Sequence, residues 1–160
     1  MIAVESLDRH RDFIPRLARE FAREWPDWAR TISPAELEAI FRAGPGGVLP
    51  IVLVAFDSWD LLGTIALRPW FGEEPMEEAP WVRQLYVLPQ HRGRGIDRAL
   101  GAAIESSARG LGYPYLYAGT NRIEALLCRR GWKVYRRVVH GGQPMAWLRK
   151  SLQGPGELTR

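Results

Sequence analysis

Apolar residues recur along the N-terminal part of the chain at helical spacing. From Arg9 to about Trp25, Phe13, Ile14, Leu17, Phe21 and Trp25 fall three or four positions apart, the stripe of a helix packed on one face. Ile2 to Val4 ahead of it predicts a short strand. Ser33, Pro34 and Glu36 supply an N-cap, a proline at the first helical position and a capping-box acid, so a second helix is predicted there, ending by Gly44. The period then shortens. Pro50 to Asp57 and Leu61 to Arg68 read as a β-hairpin. After the acidic loop GEEPMEEAP come a strand over Trp81 to Val87 and a helix from about Arg94 to Gly110, with Ile96, Leu100, Ile104 and Ala108 on one face. Tyr115 to Ala118 predicts a strand. A short helix ending at Gly131 is expected to be capped by Thr120 or Asn121, with Glu124 completing a capping box on Asn121. Trp132 to Val139 and Met145 to Leu152 predict a closing hairpin around HGGQP. The order is a mixed α/β domain without the strict alternation of a doubly wound sheet.

Composition narrows the class. At 160 residues, 46% hydrophobic and 25% charged, the chain suits one globular domain, expected over residues 1–152 with a loose tail over 153–160. The apolar run from Val48 to Phe56 is too short to cross a bilayer, and no basic flank with a cleavage site marks a secretory leader. Cys128 is the sole cysteine and His10, His91 and His140 are scattered, so neither a disulfide nor a metal site is expected. A cytoplasmic protein without membrane or nucleic-acid partners is the resulting expectation. The net charge of +4 suits an anionic ligand.

The informative stretch is WVRQLYVLPQHRGRGIDRAL, Trp81 to Leu100. A strand meets Pro89, and an arginine- and glycine-rich turn opens directly into a helix. Gly93 and Gly95 permit backbone conformations that a side chain would block. The first helical amides lack internal partners, and the helix dipole adds positive potential. Such a turn binds phosphate oxygens, with Arg92, Arg94 and Arg98 adding charge. No Gly-Lys-Ser/Thr follows, which excludes a Walker loop, and Arg98 occupies the third position of a dinucleotide GxGxxG. A glycine turn with solvated arginines stays open as the plain reading.

QHRGRG resembles the Q/R-x-x-G-x-G/A motif of the GCN5-related N-acetyltransferases, the GNAT superfamily, preceded here as there by an apolar strand ending in Val-x-Pro. Arg129-Arg130-Gly131-Trp132 is similar to the family's downstream Gly-aromatic step. The resemblance spans roughly residues 1–150 and implies a mixed sheet of six to seven strands, splayed in the middle and flanked by about four helices. It further implies transfer of an acetyl group from acetyl-CoA to a primary amine, either a small cationic molecule or a peptide N-terminus, with no metal. By position, Leu85, Tyr86 and Val87 would pair with pantetheine, and Gln90, His91, Arg92, Gly93, Arg94, Gly95, Ile96 and Asp97 would hold the pyrophosphate, with Asn121 also at the cofactor. Trp25, Trp28 and Trp81 would line the acceptor pocket. A homodimer is compatible with the family. The alternative is a CoA-binding sensor or interaction module.

Three positions depart from the pattern. Asp97 stands where a small residue is usual; at ~6 Å and an effective dielectric of ~20, each like charge costs roughly 3 kcal/mol, so Asp97 either turns aside or weakens CoA binding. Leu127 replaces the tyrosine that donates a proton to the departing thiolate, leaving Tyr86, Tyr117 and Tyr135 as substitutes. Trp81 occupies the position of a basic glutamate, which directs attention to Glu73, Glu74, Glu77 and above all Glu78. Cys128 is expected to be buried as a small apolar residue.

Overall fold

The computed structural model describes residues 1–44, 48–70 and 77–153. Glu73, Glu74 and the tail from Gly154 lie outside the described residues. In chain order the elements are β1 (Ala3–Ser6), α1 (Ile14–Glu24), α2 (Pro26–Ala29), α3 (Pro34–Ala39), β2 (Ile51–Asp57), β3 (Asp60–Arg68) and β4 (Trp81–Val87). Then follow α4 (Ile96–Gly110), β5 (Tyr115–Thr120), α5 (Glu124–Arg129), β6 (Lys133–His140) and β7 (Gln143–Ser151). The hydrogen-bonded strand order is β1-β2-β3-β4-β5-β7-β6. With β4 and β5 parallel and β1–β2, β5–β7 and β6–β7 antiparallel, the sheet is mixed. Among the described residues, no helix is long and apolar enough to cross a membrane.

The chain forms two compact units. The first takes Met1–Ala66 and Gln84–Ala103; the second takes Leu67–Arg83 and the chain from Ile104 onward.

In the first unit, Ile14, Leu17, Ala18 and Phe21 of α1 are buried in one cluster with Val52 and Val54 of β2, Leu61 of β3, and Tyr86 and Leu88. Full burial of a leucine or phenylalanine side chain contributes ~1.5–3 kcal/mol. The single helix expected from Arg9 is instead two 3-10 turns, Leu7–Arg9 and Arg11–Phe13, followed by α1. Pro15 explains the change: lacking an N–H, it is accommodated only in a helix's first turn, so α1 starts at Ile14. Pro26 ends it. The capping box of α3 forms as expected, with Glu36 N donating to Ser33 Oγ at 3.1 Å and Ser33 N donating to Glu36 Oε2 at 2.8 Å. That helix stops at Ala39, short of Gly44. Thr64 of β3 is fully buried, and its hydroxyl donates to the Leu53 carbonyl at 2.7 Å.

In the second unit, β5 and β7 pair from Tyr115↔Ser151 to Thr120↔Ala146. A two-residue turn joins β6 and β7; Gly141 and Gly142 both have positive φ, 57° and 76°, as a hairpin matching the strand twist requires. Leu116, Ala118 and Thr120 are buried, whereas Tyr115, Tyr117 and Gly119 on the opposite face of β5 are half-exposed. The expected box between Asn121 and Glu124 does not form. Ile123 is the N-cap of α5 and makes no side-chain cap bond. Thr120 Oγ1 instead accepts from the amides of Arg122 and Ile123, each at 3.1 Å, and the Glu124 carboxylate is held by Arg137 at 2.7 Å.

Candidate active site

In the first unit, the last strand residues and the turn after them are shaped by two backbone constraints. Gln84 lies mid-strand with φ 59°, a left-handed conformation that costs a side-chain-bearing residue ~1–3 kcal/mol and kinks a strand as a β-bulge does. Its side-chain amide donates to the Ile40 carbonyl at 3.4 Å. The second constraint is Gly63 of β3: a Cβ placed there would stand 2.5 Å from the Tyr86 carbonyl oxygen and 3.2 Å from Val87 Cα. Glycine therefore admits β4 at close approach. Leu85, immediately past the kink, is 40% exposed.

Pro89–His91 form a single 3-10 turn, with His91 N donating to the Leu88 carbonyl at 2.9 Å. Gly93 and Gly95 then adopt φ 80° and 77°. Nothing lies within 4 Å of the position a Cβ would take at either residue. The first bond into α4 runs from Ala99 N to Gly95 O at 3.1 Å, so the amides of Ile96 and Arg98 precede any helical acceptor. Gln90, Gly93, Arg94 and Gly95 are exposed, Asp97 is half-buried, and Ile96 anchors the helix in the core. Arg94 Nη1 donates to His91 Nδ1 at 2.9 Å, which fixes the ring's other nitrogen as the protonated one. The turn is thus exposed and open at the two glycines, at a helix N-terminus.

Arg92 points back onto β4. Its Nε donates to the Val87 carbonyl at 3.0 Å, its guanidinium carbon lies 5.6 Å from the Tyr86 ring centroid, and Nη2 is 3.9 Å from Glu24. Tyr86 is 4% exposed and packs edge-on against Phe21 at 5.2 Å and Trp25 at 5.7 Å. Its hydroxyl donates to Glu20 Oε2 at 3.3 Å. Burial, reinforced by the charges of Glu20 and Glu24, raises the Tyr86 pKa above the phenol's ordinary value, with Arg92 opposing. Trp25 and Trp28 are 39% and 40% exposed. The structure therefore brings Trp25 to Tyr86 and leaves Trp28 on the surface of α2.

The second unit carries a separate aromatic cluster. Trp81 has no exposed surface and donates its indole N–H to the Glu78 carbonyl at 2.7 Å. Its ring lies 5.4 Å from Tyr117 and 5.2 Å from Trp147, and Tyr117 meets Tyr135 at 5.7 Å. The Glu78 carboxylate stands 3.8 Å from Arg136; Glu77 is exposed. Asn121 is exposed and lines, with Thr120, Glu124, Arg137 and Met145, a cavity of about 370 Å³.

Compared with known proteins, residues 14–131 match the acetyltransferase (GNAT) family. The chain belongs to the GNAT acetyltransferase family. Similar solved structures share its fold. An aminoglycoside 6'-N-acetyltransferase complexed with coenzyme A superposes with a TM-score of 0.77 at 17% identity, over 95% of this chain and 98% of that one. The aminoglycoside 6'-N-acetyltransferase of Enterococcus faecium gives 0.75 at 17%, over 95% and 98%. A ribosomal-protein-alanine N-acetyltransferase of Brucella melitensis gives 0.73 at 19%, over 94% and 99%. No match is found among curated protein sequences.

Within this GNAT chain, several positions differ from the sequence expectations. Cys128 is exposed on α5 rather than buried, because Trp132, Leu116 and Leu148 fill the core and that short helix leaves the cysteine facing outward. Trp81 is core rather than pocket surface. Arg92 is bound to Val87, Tyr86 and Glu24. Glu20 and Glu24 were missed as site residues: four positions apart on an amphipathic helix, they read as solvated charge, and only the tertiary contact with Tyr86 distinguishes them.

Proposed function

We propose that this GNAT protein transfers an acetyl group from acetyl-CoA to the nitrogen of a primary amine, borne by a small cationic molecule or a peptide N-terminus. The turn at residues 89–97 carries the reading: two left-handed glycines with open space above them, and the amides of Ile96 and Arg98 ahead of the first helical acceptor. These features fit a diphosphate, whose oxygens accept from such amides and favour the positive end of the helix dipole. Gln90, His91, Arg94 and Asp97 border the cradle; Arg94 adds charge, and Arg92 holds the turn against β4. Leu85, Tyr86 and Val87 offer main-chain groups to pantetheine, and Asn121 is a further proposed cofactor residue.

Acetyl-CoA supplies an activated thioester carbonyl. The chain's part is to hold the amine, remove its proton and donate hydrogen bonds where negative charge develops. Glu78 is the proposed proton acceptor. Tyr86, kept neutral by its raised pKa, and Tyr117 are the proposed donors. The Trp25 ring and the exposed Trp28, with Glu20 and Glu24 on the neighbouring turns of α1, support an amine carrying positive charge.

Thiol release from acetyl-CoA, followed over a panel of primary amines, tests the reading. Release that requires an amine is expected, and Glu78→Gln should lower kcat by ~10²-fold, within the range for loss of a general base. CoA binding without turnover on any amine would make the chain a CoA-binding module instead.

A further inference from the structure

The second unit holds cationic and phenolic donors that the proposed transfer chemistry leaves unused. On β6, the register shifts between Val134 and Arg136, and such a bulge turns two consecutive residues toward one face. Tyr135 and Arg136 are those residues, with the Arg136 guanidinium carbon 6.0 Å from the Tyr135 ring. The Tyr135 hydroxyl oxygen is buried and has no hydrogen-bond partner among the described residues. Buried hydroxyls are rarely left so.

Arg149 of β7 lies beside it, its guanidinium carbon 4.5 Å from the Tyr115 ring and 5.8 Å from the Tyr135 ring. It is exposed and makes these ring contacts with no hydrogen bond or ion pair among the described residues. Arg136 also lies 5.7 Å over Trp147 and pairs with Glu78. Two guanidinium groups thus flank the Tyr135 ring, only Arg136 being paired with a carboxylate, beside an unpaired phenol and the rings of Tyr115, Tyr117 and Trp147. The field of the whole group reaches Tyr135: burial, then Glu78 and Tyr117, push its pKa up to about 12, with Arg136 and Arg149 opposing.

We infer that Tyr135 and Arg149, flanked by Arg136, form a carboxylate-recognition site, and that the amine acceptor is an amino acid with an apolar or aromatic side chain. The guanidinium fork of Arg149 matches the two oxygens of a planar carboxylate. The Tyr135 hydroxyl supplies a third donor and gains the partner it lacks. Glu78 takes the ammonium group, and the surrounding rings accept the side chain. The inference about the acceptor rests on the proposed acetyl transfer; the carboxylate site itself does not.

Calorimetric titration of the full chain with phenylalanine, phenethylamine and phenyl phosphate separates the terms. Phenylalanine should bind at least tenfold more tightly than phenethylamine, which lacks the carboxylate. Arg149→Gln and Tyr135→Phe should each shrink that ratio to threefold or less, with Arg149→Lys intermediate. Circular dichroism of the variants guards against misfolding, to which an exposed arginine and a single hydroxyl contribute little. Equal binding of phenylalanine and phenethylamine overturns the site, as does tighter binding of phenyl phosphate than of phenylalanine. Thiol release with the same two amines then discriminates the layers. Carboxylate-dependent binding without turnover on any amine leaves the site standing and refutes the transfer reading. Turnover indifferent to the carboxylate refutes the amino-acid acceptor and leaves the transfer reading intact.

Discussion

Replacing Gly63 by alanine would probe how β4 is positioned. The added methyl carbon would sit 2.5 Å from the Tyr86 carbonyl oxygen, 3.2 Å from Val87 Cα and 3.3 Å from a Leu100 methyl group. A relaxed C–H···O approach is ~3.3 Å, so roughly 0.8 Å must open. The nearest atoms are backbone, which cannot swing aside as a flexible side chain would. Overpacking of this kind costs ~1–3 kcal/mol, and at this chain length each kcal/mol lowers Tm by ~2–4 °C. A fall of roughly 2–12 °C is therefore expected in a thermal melt. Tyr86 and Val87 are also the segment proposed to pair with pantetheine, and a displacement approaching ~1 Å at a positioned group can cost ~10²-fold in rate. The thiol-release assay should show kcat/KM for acetyl-CoA reduced well beyond what the stability loss explains at 25 °C. A variant with unchanged Tm and unchanged kcat/KM would refute the claim that Gly63 sets the approach of β4.

Gly95→Ala must carry a side chain at φ 77°, at a cost of ~1–2 kcal/mol, and should weaken CoA binding by about tenfold in calorimetry. Ser33→Ala removes one side of the α3 capping box and should destabilise the fold by ~1 kcal/mol, read as a lower urea midpoint with an unchanged slope. Tyr86 and Tyr135 both titrate above the ordinary phenol value of 10.0. The folded state thus holds their protons more tightly, so their contribution is complete below pH 10 and is lost as pH rises through the folded values, about 12 for Tyr135. Ultraviolet titration of phenolate absorbance should accordingly show two tyrosines ionising late, and Glu20→Gln should bring one of them earlier.

Local chemistry was legible wherever neighbours in sequence decide the outcome. The strand Trp81 to Val87 was predicted with its observed ends, the Ser33–Glu36 box formed, and the glycine turn into α4 adopted the positive φ angles its residues permit. What was hidden depends on residues far apart in the chain. The left-handed Gln84 is imposed by surrounding structure against its own preference. Glu124 was expected to cap Asn121 but is drawn to Arg137, thirteen positions away. Glu20 gains its significance from Tyr86, sixty-six residues on. The buried hydroxyl of Tyr135 follows from a strand irregularity that no turn residue announces.

Titrating the chain with coenzyme A and, separately, with pantetheine measures most directly what the diphosphate, with the nucleotide attached to it, adds to binding. Two charge-assisted hydrogen bonds from the Gly93–Arg98 amides are worth about 3 kcal/mol or more together, so coenzyme A should bind at least ~10²-fold more tightly than pantetheine. Equal affinity for the two, or no heat with coenzyme A, would contradict the assignment of that turn as the cofactor's cradle.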